Sequence, residues 1–165
     1  MNPPELRIGD LVCKTPIVQG GMGVGISMSG LASAVANQGG IGVLSAAMPG
    51  FLEPDATTHM RAASMRGLRK EISKARRLSD GVLGVNIMVA LTNFADMVKV
   101  SVEEGIDIIF SGAGMPLSLP ELLPAGSKTK LVPIVSSGRA AILICKKWLN
   151  RYGRLPDAVD RKSVV

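Results

Sequence analysis

Short apolar runs rich in β-branched residues alternate with segments of helical periodicity, and this alternation constrains the fold more than any other feature. The runs lie at residues 16–19, 41–45, 83–89, 106–110, 131–136 and 157–159. They are apolar on both faces, as strands are in a parallel sheet covered by helices. The pattern therefore predicts an α/β fold with five βα units and the start of a sixth strand. The runs LRI and LVC around Gly9 and Asp10 predict a small β-hairpin before the first strand.

The segments between the runs carry helix signals. Ser29 is predicted to cap the first helix and Gly39-Gly40 to end it. A long basic helix follows, and a third helix is predicted to begin at Asn93 and to stop before Gly105. In these two helices, the residues expected to face the protein core are Met65, Leu68, Ile72, Ala75, Phe94, Met97 and Val98. A last helix, marked by Ile142, Leu143 and Trp148, is predicted to end near Gly153, and residues 112–127 to be mostly loop with at most a short helix at 119–123.

Two architectures fit five and a half βα units. A (β/α)₈ barrel has about 250 residues and typically no fewer than about 200. The chain has 165 residues, so a barrel would be incomplete by about two and a half units. An open doubly wound sheet suits the length better. Length and periodicity leave both architectures open.

Composition and charge exclude several classes of protein. With 47% hydrophobic and 19% charged residues the chain can bury a core, which argues against disorder. The net charge of +6 is compatible with an anionic partner, but aromatic residues are only 3% of the chain, too few to stack nucleic-acid bases. The basic residues cluster on helical segments and are expected to form solvated helix faces. We therefore expect no nucleic-acid partner.

Cysteine usage and hydropathy indicate the compartment. Cys13 and Cys145 lie far apart without metal-ligand spacing, so they are expected to be reduced, buried thiols, and no metal site is predicted. The amino terminus lacks the apolar segment of a signal peptide, and no apolar run approaches the length of a membrane span, about 18 residues. The sequence therefore predicts a cytoplasmic protein without a membrane contact.

The densest functional signal is the segment PIVQGGMGVGIS, in which four glycines at 20, 21, 23 and 25 follow an apolar strand. Such a loop lets the backbone approach a phosphate or a flat ring closely, although it could also be a tight turn without a ligand. It does not match the dinucleotide motif GxGxxG, and the chain lacks a P-loop and GxSxG. We therefore do not expect nucleotide hydrolysis or α/β-hydrolase chemistry.

Small polar residues also end the other predicted strands: Ser45, Ser111-Gly112-Ala113-Gly114 and Ser136-Ser137-Gly138. The carboxyl ends of parallel strands share one edge, so these residues and the glycine loop should surround a common pocket. Asn86 lies inside an apolar run and must bond either backbone or a ligand. His59 is expected at the surface, and Asp107 and Glu121 are assigned no chemistry.

Five segments resemble a known family. PIVQGGMGVGIS, LASAVANQGGIGVLSAA, GVLGVNIMVALTNF, EEGIDIIFSGAG and LVPIVSSGRAA, within residues 6 to about 159, are similar in order to the strand ends of nitronate monooxygenases, formerly 2-nitropropane dioxygenases. The flavin-dependent enoyl-acyl-carrier-protein reductases are their relatives. The resemblance implies a (β/α)₈ TIM barrel, in place of the doubly wound sheet, with FMN at the carboxyl ends of its strands.

The resemblance also implies roles for residues. Gly21, Met22 and Gly23 would lie against the flavin ring, and Asn86 would hydrogen-bond it. The further cofactor-binding residues implied are Gln19, Gly20, Ser111, Gly112, Ser136 and Ser137. The implied reaction is the oxidation of an alkyl nitronate by dioxygen to a carbonyl compound and nitrite. The reductases instead take hydride from a nicotinamide and reduce an enoyl thioester.

The sequence departs from the family near its end. Members continue the sixth strand into a Gly-Gly-His segment with the proposed catalytic base, whereas this chain reads PDAVDRKSVV, so no catalytic residue is assigned. We interpret residues 1–159 as the amino-terminal portion of a single TIM-barrel domain and 160–165 as a divergent tail, arising from a truncated gene product, a frameshift or the end of an expressed fragment. The chain is expected to be weakly active or inactive. A further alternative is a non-catalytic half-barrel that self-associates through open sheet edges.

Overall fold

A computed structural model describes residues 4–162. The chain begins with an antiparallel hairpin of β1 (Leu6–Ile8) and β2 (Leu11–Cys13), as predicted. A five-stranded parallel sheet follows, with its strands in the order of the chain. Its strands are β3 (Gly42–Ser45), β4 (Leu83–Met88), β5 (Ile108–Gly112), β6 (Lys130–Val135) and β7 (Asp160–Arg161).

Each strand of the sheet pairs with the next one along the chain. A doubly wound sheet reverses its strand order at a switch point, and this sheet does not within the described residues. The helices are α1 (Ser29–Asn37), α2 (Met60–Leu78), α3 (Phe94–Glu103) and α4 (Gly138–Tyr152), with a 3₁₀ helix at Leu119–Leu122. The sheet curls with these helices outside it, so the fold is a half-barrel of the TIM-barrel type, as the resemblance implied.

The outer face of the sheet packs on the helices. Leu68, Ile72 and Ala75 of α2 and Met97 and Val98 of α3 are fully buried there, as their spacing predicted. Trp148 of α4 is fully buried, and its indole N–H donates to the carbonyl of Pro116 at 3.1 Å. The core of the half-barrel is therefore mostly the layer between sheet and helices.

The inner face of the sheet is covered at one end by the hairpin. Ile8 and Cys13 pack against Ile41, Val43, Ile108, Phe110 and Val132. Val43 and Ile108 lie toward the amino ends of their strands, and Phe110 lies level with Asn86. Met88 and Gly112 lie farther along, at the carboxyl ends of β4 and β5. The hairpin thus closes the amino end of the half-barrel and leaves the carboxyl end open.

The predicted first strand at 16–19 is wrong as a full strand. The segment makes one isolated parallel bridge, Val18 to Ile41. The Ile41 N–H donates to the Ile17 carbonyl at 2.9 Å, and the Gln19 N–H donates to the Ile41 carbonyl at 3.0 Å. Pro16 has no N–H to extend the pairing, and the chain leaves the sheet at Gly20.

The predicted N-caps differ from those observed. The first helix begins at Ser29, and Met28 occupies the N-cap position without a side-chain cap. The Ser29 N–H instead donates to the Glu71 carboxylate of α2 at 2.8 Å. Asn93 does occupy the N-cap position of α3, but its side chain makes no capping bond. The predicted stop of α1 is confirmed, since Gly39 follows it at a φ of 80°.

Two aspartates repeat one structural role. The Asp107 carboxylate accepts the Leu83 N–H at 2.8 Å, and the Asp107 N–H donates back to the Leu83 carbonyl at 3.1 Å. Asp157 has the same two bonds with Leu131, also at 2.8 and 3.1 Å. Each aspartate precedes a strand and fixes the start of the strand beside it.

The last strand lies later in the chain than predicted. Residues 157–159 were expected to form it, but β7 is Asp160–Arg161, which pairs with Ile134 and Val135. Residues 157–159 directly precede β7, and the hydrogen bonds of Asp157 to Leu131 hold this segment beside β6. The Lys162 N–H continues the pairing by donating to the Val135 carbonyl at 2.9 Å. Strand pairing therefore extends past residue 159, beyond which the sequence predicts a divergent tail.

The basic face of α2 is paired with acidic groups. Arg61 binds Asp96 with two hydrogen bonds, of 2.5 and 2.8 Å. Arg69 binds Glu103 and Glu104, and Lys70 binds Glu53. The α2 cations therefore connect α2 to α3 and to the loop that precedes α2. Within residues 4–162, no helix combines the length and hydropathy of a membrane span.

Candidate functional site

The carboxyl ends of the strands surround an open cavity of 690 Å³. Its volume lies in the range of small-molecule and cofactor sites, about 300–1,000 Å³. Its lining residues are Gly20, Gly21, Met22, Gly23, Ser45, Ala47, Asn86, Met88, Gly112, Ala113, Ile134, Asp160 and Lys162. A second cavity of 300 Å³ shares Gly20, Gly21, Asn86, Ile134 and Asp160 with it and extends toward the hairpin. The predicted common pocket at this edge is therefore present.

The glycine loop is held in place by one buried hydroxyl. Ser27 accepts the Met22 N–H at 2.8 Å and donates to the Gly20 carbonyl at 3.1 Å. The Gln19 side chain donates to the same hydroxyl at 3.0 Å. These bonds tie Gly20 and Met22 to one hydroxyl, so the course of the loop along the cavity is supported by hydrogen bonds within the protein.

Two of the loop glycines allow contacts that a side chain would prevent. A Cβ at Gly21 would lie 2.3 Å from the Cβ of Asn86, and one at Gly23 would lie 2.6 Å from the Cβ of Ala47. A Cβ at Gly20 would meet nothing within 4 Å. The backbone at 21 and 23 therefore packs directly on the sheet and forms a glycine wall of the cavity, which a planar ring can approach closely.

Asn86 supplies the polar group of this wall. It is half-buried on β4 and lines both cavities. Among the described residues no side-chain hydrogen bond of Asn86 is present, and no fully buried side-chain nitrogen or oxygen lacks a partner. The Asn86 amide is therefore accessible from the cavity, and its donor and acceptor are available to a ligand. A free amide beside a glycine wall fits the edge and face of a flavin ring. Gly21, Met22, Gly23, Asn86 and Gly112 are the residues that could hold that ring.

The other predicted cofactor residues lie elsewhere. Ser111 is fully buried and donates to the Ile87 carbonyl at 3.0 Å, so it is absent from the cavity lining. Ser136 and Ser137 are exposed, and the Ser137 hydroxyl accepts the Ala140 N–H at 3.3 Å as the cap of α4. Gln19 lines only the smaller cavity, and its amide is bonded to Ser27 and Val43.

The single histidine is not part of the site. His59 is exposed at the start of α2, as expected, and does not line the cavity. Among residues 4–162 no group of three or more His, Cys, Asp or Glu could hold a metal ion. The titratable groups that do line the cavity are Asp160 and Lys162.

Sequence reasoning missed Ser27, Met88, Asp160 and Lys162. Ser27 gives no signal, since its role depends on the folded loop. The two charged residues could have been found from the alternation of sides along an extended strand, once β7 is aligned with Ile134. Met88 follows the same alternation from Asn86.

Comparison with known proteins places the chain among flavoenzymes. The sequence model of the nitronate monooxygenase family matches residues 5–159. FabK from Thermotoga maritima is 30% identical, with a TM-score of 0.65 over 82% of this chain and 38% of FabK. A mutant of the same FabK is 31% identical, with a TM-score of 0.66 over 82% of this chain and 40% of the mutant.

A nitroalkane oxidase from Streptomyces ansochromogenes has the same fold. It is 18% identical, with a TM-score of 0.65 over 82% of this chain and 44% of the oxidase. The chain thus spans about two-fifths of the length of these solved structures. None of the curated proteins matches it.

Proposed function

Because the chain belongs to the nitronate monooxygenase family, we propose that it forms the amino-terminal part of an FMN-dependent enzyme that oxidises alkyl nitronates with dioxygen. The family and its neighbours are flavin-dependent oxidoreductases. The observation that carries the proposal is the free Asn86 amide beside the glycine wall, in a chain that matches the family over residues 5–159. The products expected are a carbonyl compound and nitrite.

The residues of this chain would bind and orient. FMN, when bound, would take electrons from the nitronate and be reoxidised by dioxygen. Because Gly21 and Gly23 lack a Cβ, their backbone packs directly on Asn86 and Ala47, and the ring would lie against this backbone. Asn86 would offer its amide to the ring's polar edge. Met22 and Met88 add apolar surface to the cavity lining. This chain would thus fix the position of the ring relative to an incoming substrate.

Turnover by this chain is expected to be low. The cavity has no histidine among the described residues, and loss of a general base typically lowers rates by about 10²–10⁴. The matched part also covers only 38% of FabK and 44% of the oxidase. Binding is therefore a more direct test than turnover.

The test is a titration of the 165-residue chain with FMN, followed by flavin fluorescence. We expect saturable binding that weakens about tenfold in Asn86→Leu, because the apolar side chain cannot hydrogen-bond the ring. Asn150→Leu, on the exposed face of α4, is the matched control and should bind as the parent does. A folded chain that binds no FMN, or an Asn86→Leu variant with unchanged affinity, would contradict the proposal.

A second candidate is a flavin-dependent enoyl-acyl-carrier-protein reductase. It is favoured by the 30% identity to FabK, which exceeds the 18% identity to the nitroalkane oxidase. Two assays on a chain completed with the family's remaining barrel units separate the candidates. Oxygen uptake that depends on propane-2-nitronate supports the monooxygenase. Nicotinamide oxidation that depends on an enoyl thioester supports the reductase instead.

A further inference from the structure

The last described strand brings two opposite charges to the candidate site. Asp160 pairs in register with Ile134, and Arg161 pairs with Val135. Aligned residues of parallel strands share a face, and successive residues alternate faces. Ile134 and Asp160 both line the 690 Å³ cavity, and so does Lys162, two residues farther on. Arg161 belongs to the opposite face, with the buried Val135.

These two side chains are the only ionisable groups that the described residues contribute to the cavity lining. The remaining lining is glycine, alanine, methionine, isoleucine, one serine and one asparagine. The backbone of Lys162 is held by its N–H bond of 2.9 Å to the Val135 carbonyl. None of the ion pairs found within residues 4–162 involves Lys162. The cation is therefore anchored at its base and able to bind an anion from the cavity.

We propose that Lys162 recognises an oxyanion in this cavity, and that Asp160 restricts which anions enter. The inference rests on the proposed function, since the anion is either the phosphate of FMN or an anionic nitronate substrate. Both present negatively charged oxygens that an ammonium binds as a charge-assisted hydrogen-bond donor. The neighbouring Asp160 carboxylate opposes any anion that approaches its side of the opening.

The test compares FMN, riboflavin and propane-2-nitronate as ligands of the 165-residue chain. Riboflavin has the same ring as FMN without the phosphate, so it separates ring binding from anion binding. The variants are Lys162→Gln, Arg161→Gln and Asp160→Asn. Lys162→Gln and Arg161→Gln remove the same charge from adjacent residues on opposite faces, so Arg161→Gln controls for net charge. Nitronate binding is followed by amide chemical shifts and needs no flavin.

We expect Lys162→Gln to weaken the binding of one of the anions about five- to tenfold, and Arg161→Gln to leave its affinity within about twofold of the parent. Asp160→Asn should strengthen the binding of that anion. If Lys162→Gln lowers the affinity for FMN and leaves that for riboflavin unchanged, the anion bound by Lys162 is the phosphate of FMN. If it lowers only the affinity for propane-2-nitronate, the anion is the substrate. The loss should shrink at high ionic strength, since the interaction is electrostatic.

Two outcomes would overturn the inference or its premise, and they differ. Equal effects of Lys162→Gln and Arg161→Gln on every anion would refute the role of Lys162, even if riboflavin binds normally. Absence of both FMN and riboflavin binding would refute the flavin site, while the nitronate arm would still decide whether Lys162 binds an oxyanion. Circular dichroism of each variant confirms that the comparison is made on folded chains.

Discussion

The side-chain amide of Gln19 pairs with both backbone groups of Val43. Its Nε2 donates to the Val43 carbonyl at 2.9 Å, and its Oε1 accepts the Val43 N–H at 3.3 Å. Val43 lies in β3, at the edge of the five-stranded sheet. The amide therefore takes the place of a neighbouring backbone at an edge that would otherwise end unpaired.

Replacement of this amide should destabilise the fold. Gln19→Leu leaves two backbone groups of a buried residue without partners, and we expect a loss of about 1–3 kcal/mol in the free energy of unfolding. The measurement is urea unfolding followed by circular dichroism. Gln38→Leu, at the exposed end of α1, is the matched control and should change little. Equal stability of the two variants would show that the amide pairing contributes nothing.

The glycine wall predicts a position-specific effect on ligand binding. Gly21→Ala forces its methyl group against Asn86, and Gly23→Ala forces it against Ala47, so both should weaken FMN binding by at least about tenfold. Gly30→Ala, in α1 and outside the cavity lining, places its methyl in open space and should bind as the parent does. Fluorescence titration measures all three variants. Similar losses at positions 21, 23 and 30 would contradict the wall described above.

The ion pair between α2 and α3 predicts a pH dependence of stability. Hydrogen bonds from Arg61 hold the pKa of the Asp96 carboxyl below its usual value of 3.8. A lowered pKa in the folded state stabilises the protein above about pH 3.8, and this contribution is lost as the pH falls through the folded value. Arg61→Gln should therefore lower the urea midpoint at neutral pH, and the difference from the parent should shrink as the pH falls below 3.8. A difference that stays constant as the pH falls would exclude the carboxylate as its source.

We expect exposed apolar residues on α4 to add to the self-association predicted for the open sheet edges. Ile142 and Leu149 are 58% and 51% exposed on a helix whose other face buries Trp148. The neighbouring β7 is a two-residue edge strand. We expect the chain to associate at micromolar concentration in sedimentation velocity and Leu149→Glu to shift it toward monomer. Leu52→Glu, at a more exposed leucine away from α4, should not. A parent chain that sediments as a monomer would contradict this prediction.

Helix faces could be predicted from sequence because they depend on local periodicity. Leu68, Ile72 and Ala75 repeat at helical spacing, and all three are fully buried. The start of α1 could not be predicted in detail, because the acceptor for the Ser29 N–H is Glu71, 42 residues away. The limited pairing of residues 16–19 likewise depends on Gln19, whose side chain replaces backbone pairing at Val43.

Part of the candidate site was also accessible from sequence. Gly21 and Asn86 were predicted separately, and the structure places them in contact. Ser111 was predicted for the same pocket, but it follows Phe110, whose ring belongs to the inner core. Adjacent strand residues face opposite sides, so Ser111 lies on the outer side. The residues at a strand end thus predict which edge of the sheet they lie at. Which face of the sheet each side chain occupies can be predicted only when the register of the strand is known.

The division of the sheet into two faces has a consequence for how such a protein can change. Ile87 is buried in the helix layer, and its neighbour Asn86 lines the cavity. Because most of the buried apolar side chains lie on the helix side, substitutions at inner positions near the carboxyl end remove little of the packing that holds the strands. Substitutions at Asn86 or Met88 can therefore alter ligand preference at small cost to folding, so that ligand specificity can change while the fold is kept.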